Sequence, residues 1–298
     1  MRLLSVRLSA LGDVIHAIPA VIGLTTAGEV SWIVEAAYAE MVQIVAGVTP
    51  IPVRLKRWSV REIVGAWRGV RGFDVAVDFQ GNIKSAAVTQ ASGAPARYGF
   101  DRDAVREGPA AWFYTKRVAI DRTRHVVDWN RDLAAAVTGY RLPATDNWSD
   151  YPADPEHKLD ALRNRIVLLP GAGRPEKHWP LERFRELVGR HSDAVVAWGP
   201  GERDLAAGIG GTLAPPTNLR ELAFLLRHAR VVVGGDTGPL HLAAALGTKV
   251  IGLYGPTDPR RNGPYGQIDS TIDHYRSSRS MHTIEAGQVM RKIDEVMG

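Results

Sequence analysis

What most restricts the fold of this chain is a rhythm: a short apolar run of strand length, a loop with small residues, then a helical segment, over and over. Leu3–Leu8 opens it, followed by Ser9-Ala10-Leu11-Gly12-Asp13 and a helical stretch from about Val14, which Pro19 should kink or reset. Val30–Val34, Ile51–Leu55 and Val75–Phe79 read as further strands, with Tyr38–Ala46 and Val60–Val70 as helices between them. Apolar strands alternating with helices call for a parallel sheet covered on both faces.

The rhythm breaks at Tyr140–Pro155, where Pro143, Pro152 and Pro155 lie among Asp146, Asn147, Ser149 and Asp150, the composition of an interdomain linker. It then restarts: strands at Ile166–Leu169, Ala194–Trp198, Val231–Val233 and Lys249–Tyr254, helices at Leu181–Arg190, Leu219–Arg227, Pro239–Leu246 and about Thr283–Met297. The expectation is α/β architecture with two Rossmann-like domains, residues 1–150 and 151–298, facing each other across a cleft. The last helix is a candidate to pack back on the first domain. A length of 298 residues suits two domains. In open α/β sheets ligands sit outside the carboxyl ends of the strands, so the loops that follow strands are where chemistry belongs.

Four such loops stand out. Gly12 permits close backbone approach, and Asp13 could accept a proton from a substrate hydroxyl or simply N-cap the helix after it. Asp236-Thr237-Gly238-Pro239-Leu240-His241 follows a strand and starts a helix. Pro239 suits the first turn, the amides near Gly238 favour an anion, and Thr237 and His241 add donors. Gly171-Ala172-Gly173-Arg174-Pro175-Glu176-Lys177 combines two glycines with two cations, a composition suited to a polyphosphate. It is not a Walker A loop, and no complete GxGxxG is present. Two phosphate-type loops in one half suggest a nucleotide with more than one phosphate. Glu202, after Ala194–Trp198, could hold ribose hydroxyls or merely start a helix.

Composition closes other routes. The absence of cysteine removes disulfides and every thiol chemistry. Metal sites have poor support: Asp101-Arg102-Asp103 has D-x-D spacing, but an arginine separates the acids and no strand clearly precedes them, and the nine histidines form no H-x-x-x-H pair. No G-x-S-x-G elbow occurs. The net charge of +5 is matched by one stretch, Arg54 to Arg71, with six basic residues against Glu62. That half also carries Arg97, Arg102, Arg106, Lys116, Arg117, Arg122 and Arg124, a face for an anionic acceptor or anionic lipid headgroups. Nucleic acid is not expected, since no helix-turn-helix, RRM or zinc-finger signature is present. Neither a signal-peptide layout nor an apolar run of membrane-spanning length appears, so a cytoplasmic protein is expected, with peripheral attachment to the inner membrane open.

With these loops in hand, the chain resembles the lipopolysaccharide heptosyltransferases of glycosyltransferase family 9, the heptosyltransferase I branch best. The resemblance is carried by Val6-Arg7-Leu8-Ser9-Ala10-Leu11-Gly12-Asp13-Val14-Ile15-His16, Asp78-Phe79-Gln80-Gly81-Asn82-Ile83-Lys84-Ser85-Ala86 and Ala111-Trp112-Phe113-Tyr114. In the second half it is carried by Lys177-His178-Trp179-Pro180, Asp236 to His241 and Tyr254-Gly255-Pro256-Thr257-Asp258-Pro259. It implies a GT-B fold, an ADP-heptose donor, an acceptor in the Kdo region of Kdo-lipid A, and inversion by a single displacement with no obligatory metal or other cofactor. Residue by residue it makes Asp13 the general base and Lys177 the group that neutralises the departing ADP. Gly171, Ala172, Gly173, Arg174, Glu202, Asp236, Thr237, Gly238 and His241 would hold the donor. Arg7, Gly12, Lys56, Arg57 and Arg106 would lie on the acceptor side. Gly171-Ala172-Gly173 stands where relatives often carry threonines, so donor contacts fall to backbone amides and Arg174, while in the basic acceptor region Ser59 stands where close relatives carry a cation. Another family 9 transferase with a different donor or acceptor, a non-catalytic nucleotide-sugar-binding protein, and a GT-B epimerase or hydrolase are the alternatives.

Overall fold

The computed structural model describes residues 1–54, 70–141 and 156–298. Lys56, Arg57, nearly all of the Val60–Val70 segment and nearly all of the Tyr140–Pro155 stretch lie outside the described residues. The chain divides into two compact units, Met1–Tyr151 and Pro152–Gly298.

In the first unit, β1 (Arg2–Val6), α1 (Leu11–Thr25), β2 (Glu29–Glu35), α2 (Ala39–Gln43), β3 (Val48–Val53), β4 (Val75–Asp78), α3 (Ile83–Ala91), β5 (Ala96–Phe100), β6 (Lys116–Val118) and α4 (Val126–Thr138) follow one another. All pairings are parallel, in the order β3-β2-β1-β4-β5-β6. Leu4, Val6, Ile33 and Ala76 are fully buried in one core cluster, as continuous apolar strands require. Helix α1 runs unbroken from Leu11 through Pro19, against the expected kink. Every other residue from Val14 to Leu24 is buried and Pro19 is not. Packing of the remaining turns therefore offsets the hydrogen bond that proline cannot make. Edge strand β3 carries Pro50 and Pro52, opposite Trp32 and Val34 of β2.

The second unit repeats the plan with β7 (Ile166–Leu169), α5 (Leu181–Arg190), β8 (Val195–Val196), α6 (Arg203–Ala207), β9 (Thr212–Leu213), α7 (Leu219–Arg227), β10 (Val231–Gly235), α8 (Gly238–Ala245), β11 (Val250–Tyr254), α9 (Pro259–Asn262), β12 (Thr271–Asp273) and α10 (Ala286–Met297). Its parallel order is β12-β11-β10-β7-β8-β9, the same topology as the first sheet. The last helix, for which the sequence offered a place on the first domain, buries Val289 and Ile293 in the core of its own unit. Each such side chain contributes about 1.5–3 kcal/mol. Trp179 Nε1 donates to the Ile284 carbonyl at 2.9 Å and fixes the entry to that helix. Among the described residues no helix is long and apolar enough to cross a membrane.

Candidate active site

Each sheet reverses its winding once, between β1 and β4 in the first unit and between β7 and β10 in the second. At such a switch point the two adjacent post-strand loops diverge to opposite faces and leave room for a ligand. The loops after β1, β7 and β10 are ones that the sequence singles out for chemistry, and the loop after β4 lies in a stretch that carries the family resemblance. A cavity of about 440 Å³ lined by Arg2, Glu29, Gln43 and Phe73 lies at the amino-terminal ends of the first sheet, the wrong end for this architecture.

In the first unit, Asp13 lies in the first turn of α1, where the helix dipole favours a carboxylate. The cap position is Ala10, with no side-chain cap bond, so Asp13 is not the N-cap. Its side chain is 36% exposed, and its Oδ2 lies 2.5 Å from Nη2 of Arg7. Arg7 was expected on the acceptor side. Its side chain is only 9% exposed. Nη1 donates to the Phe79 carbonyl at 2.5 Å, and Nη2 is committed to Asp13. A buried guanidinium already bonded on both sides positions the carboxylate and is not open to a substrate. Gly12 precedes Asp13 in the same turn, while Arg106 is exposed on the loop between β5 and β6. Asp101, the first acid of the D-x-D spacing, follows directly on β5, a strand the sequence did not reveal. Its Oδ1 accepts from the Ala104 amide at 3.0 Å, which is turn chemistry. Among the described residues no group of three or more His, Cys, Asp or Glu side chains is placed to hold a metal.

In the second unit, Lys177 ends a 3-10 turn (Pro175–Lys177) after β7, and Asp236 directly follows β10. The two meet: Lys177 Nζ is 2.6 Å from Asp236 Oδ2. The other carboxylate oxygen lies 2.9 Å from Nε2 of His241, on the first turn of α8. Burial alone would raise the Asp236 pKa, but the hydrogen bonds and charges of His241 and Lys177 hold it well below the usual carboxylate range. An anionic side chain of this kind does not bind a diphosphate itself. It sets the direction of the ammonium, and it occupies the imidazole nitrogen that the sequence offered to the anion. Thr237 is the N-cap of α8, yet its side chain makes no cap bond. Its Oγ1 is buried and has no partner among the described residues. A helix N-terminus, an uncommitted hydroxyl and an ammonium thus share one loop pair, the chemistry of a diphosphate subsite.

Glu202 precedes α6 and accepts from the Gly199 amide at 2.9 Å. Its carboxylate lies against Gly171, so closely that any Cβ at that position would overlap it. The glycine at 171 therefore makes room for the acid on the neighbouring loop. Ala172 turns its carbonyl toward Nε2 of His178, 3.1 Å away, and Gly173 meets no atom that a Cβ would touch. Arg174, expected to supply phosphate charge, is 60% exposed and lies 3.3 Å from Glu176. An exposed pair of that kind is worth little and leaves Arg174 free to swing.

No role could be read from the sequence for Asp78, Gln80, Ser85 and Tyr114, which the structure brings together beneath the β1 and β4 loops. An acid that closes an apolar strand just ahead of a glycine was the available signal.

Comparison with known proteins bears on these loops. Residues 66–292 match Glycosyltransferase family 9 (heptosyltransferase). Lipopolysaccharide heptosyltransferase 1 of Pseudomonas aeruginosa is 35% identical over 293 residues, covering 90% of this chain and 82% of that protein. The E. coli heptosyltransferase WaaC with ADP superposes with a TM-score of 0.83 at 32% identity, covering 99% of this chain and 100% of that one. The same enzyme with ADP-2-deoxy-2-fluoro heptose gives 0.82 at 31% identity and 99% of each.

Proposed function

Because the chain belongs to glycosyltransferase family 9, the heptosyltransferases, we propose that it transfers L-glycero-D-manno-heptose from ADP-heptose to the Kdo region of the lipopolysaccharide inner core. The chain is a glycosyltransferase of the heptosyltransferase I kind. The observation that carries the donor assignment is the uncommitted Thr237 hydroxyl beside the Lys177–Asp236–His241 cluster, in a chain that matches an ADP-bound heptosyltransferase along its whole length.

In this reading Asp13 removes the proton from the acceptor hydroxyl, and that oxygen forms a bond to the anomeric carbon. The bond from that carbon to the β-phosphate oxygen breaks, and ADP departs with the electron pair. One displacement inverts the centre. Charge grows on the leaving group, where the Lys177 ammonium, the Thr237 hydroxyl and the amides at the start of α8 stabilise it. Those groups supply the electrostatic work for which other transferases use a divalent ion, so no metal is needed in the step. Glu202 accepts from the ribose hydroxyls. The acceptor is anionic and meets the basic residues of the first unit, Arg106 among them. The enzyme would work at the cytoplasmic face of the inner membrane, attached peripherally.

The test is incubation with ADP-heptose and a delipidated Kdo-bearing acceptor, read by mass. One added heptose is the expected product, with the opposite anomeric configuration by NMR. No product from ADP-heptose, with product from another nucleotide sugar, would move the chain to a different donor. Free sugar without acceptor transfer would make it a hydrolase.

A further inference from the structure

The interior of the first unit holds an ionisable group that the displacement does not use. Asp78 closes β4 and is fully buried. Its Oδ1 accepts from the Gln80 amide at 2.8 Å and the Gly81 amide at 3.1 Å. Its Oδ2 accepts from the Ser85 and Tyr114 hydroxyls, each at 2.7 Å. A carboxylate out of water is costly unless its oxygens are filled, and here they are filled from three separate chain segments. The two amides belong to a turn that needs Gly81 at φ +70°, a left-handed conformation that favours glycine. That turn reaches the residues just after β1 twice. The Gln80 side chain accepts from the Leu8 amide at 2.7 Å, and the Phe79 carbonyl accepts from Arg7 at 2.5 Å. Arg7 in turn holds Asp13. The bonds run without a gap from the Tyr114 hydroxyl to the Asp13 carboxylate.

We propose that Asp78 is a positioning residue for the transfer step, which fixes Asp13 through the 79–81 turn and Arg7, with Tyr114 and Ser85 as its anchors. The inference rests on Asp13 being the base. Asp78 never meets a substrate in this arrangement. It ties a half-exposed carboxylate to the interior, because the links from Asp78 to Arg7 are buried. A base held on one line of approach keeps its catalytic effect only while that line is kept, and a displacement of about 1 Å costs up to about 100-fold in rate.

The experiment compares Asp78→Asn, Tyr114→Phe and Arg7→Lys with wild type in steady-state transfer, alongside Asp13→Asn. Asp78→Asn is expected to lower kcat by about 10- to 100-fold with KM for ADP-heptose and for acceptor unchanged within threefold. Tyr114→Phe, which removes one donor and leaves the fold, should show the same split in milder form. Because Asp78 acts through Arg7, the Asp78→Asn/Arg7→Lys double variant should be no slower than the slower single one. Should Asp78→Asn fail to fold, Tyr114→Phe and its double with Arg7→Lys carry the same test. Wild-type kcat in a folded Asp78 or Tyr114 variant, a rise in KM alone, or additive losses in the double variant each overturn the proposal. Asp13→Asn separates the two levels. If it is inactive while Asp78→Asn and Tyr114→Phe keep full kcat, the positioning role alone fails. If it is active, the base assignment fails.

Discussion

Replacing Gly171 with alanine tests how the donor loop recognises its nucleotide. The backbone at 171 does not adopt the left-handed conformation that favours glycine, so alanine is not strained there for conformational reasons. The added Cβ would instead overlap all three atoms of the Glu202 carboxylate. Restoring van der Waals separation moves the carboxylate by about 1 Å. That breaks its 2.9 Å bond from the Gly199 amide and displaces it from the place where it is proposed to hold the ribose. A hydrogen bond to a charged acceptor is worth about 1.5–3 kcal/mol, so ADP affinity should fall by about 10- to 100-fold. Isothermal titration with ADP reads this directly, with far-UV circular dichroism as the check on folding. The control is the Gly171→Ala/Glu202→Ala double variant, which should bind ADP no worse than Glu202→Ala. Affinity within threefold of wild type in folded Gly171→Ala would refute the reasoning. So would a further loss from Gly171→Ala once Glu202 is gone, since the methyl group would then be blocking the ligand itself.

Asp13→Asn should abolish transfer by mass assay while ADP affinity stays within threefold, as expected of a base that acts on the acceptor hydroxyl. Turnover within a few-fold of wild type would remove Asp13 from that role. Lys177→Met should weaken ADP binding and lower kcat together, by about 100-fold in kcat/KM, as expected for loss of one leaving-group donor. Unchanged values in both assays would exclude Lys177 from the leaving group. The same variant should be more sensitive to acid. Because the folded Asp236 carboxyl sits below its ordinary pKa, its contribution to stability is complete above the ordinary carboxylate range and disappears as pH falls toward the folded value. Removing the ammonium raises that folded value, so the acid-unfolding midpoint should move to higher pH by fluorescence. A midpoint that stays put would mean that the pair contributes nothing to stability.

The long, uniformly apolar strands and the strongly amphipathic helices were legible from the sequence. Ile166–Leu169, Leu181–Arg190 and Leu219–Arg227 lie where their patterns put them. The short edge strands β6 and β12 were not, because Lys116–Val118 is mostly exposed, Thr271–Asp273 is mostly half-buried, and neither carries an apolar signal. Helix α3 escaped notice because Ile83–Ala91 is mostly small and weakly patterned, and its start depends on a capping box between Asn82 and Ser85. At the site, residue types and their place after strands could be read, but not their pairings. The chain does not announce that Lys177 and Asp236, 59 residues apart, meet at 2.6 Å. Nor does it announce that Arg7 is spent inside the protein. Both facts come from strands adjacent in space and distant in sequence.

The two prolines of β3 limit what that edge of the sheet can pair with. In a parallel ladder, amides of alternate residues point to opposite sides of a strand. Pro50 and Pro52 occupy the positions whose amides would face away from β2, and neither residue has one. The rim of the sheet thus offers a stranger's backbone two carbonyls and no hydrogens along that stretch. Sheet-to-sheet association of crowded copies, the first step toward fibrous aggregates, is obstructed along that stretch by the backbone itself.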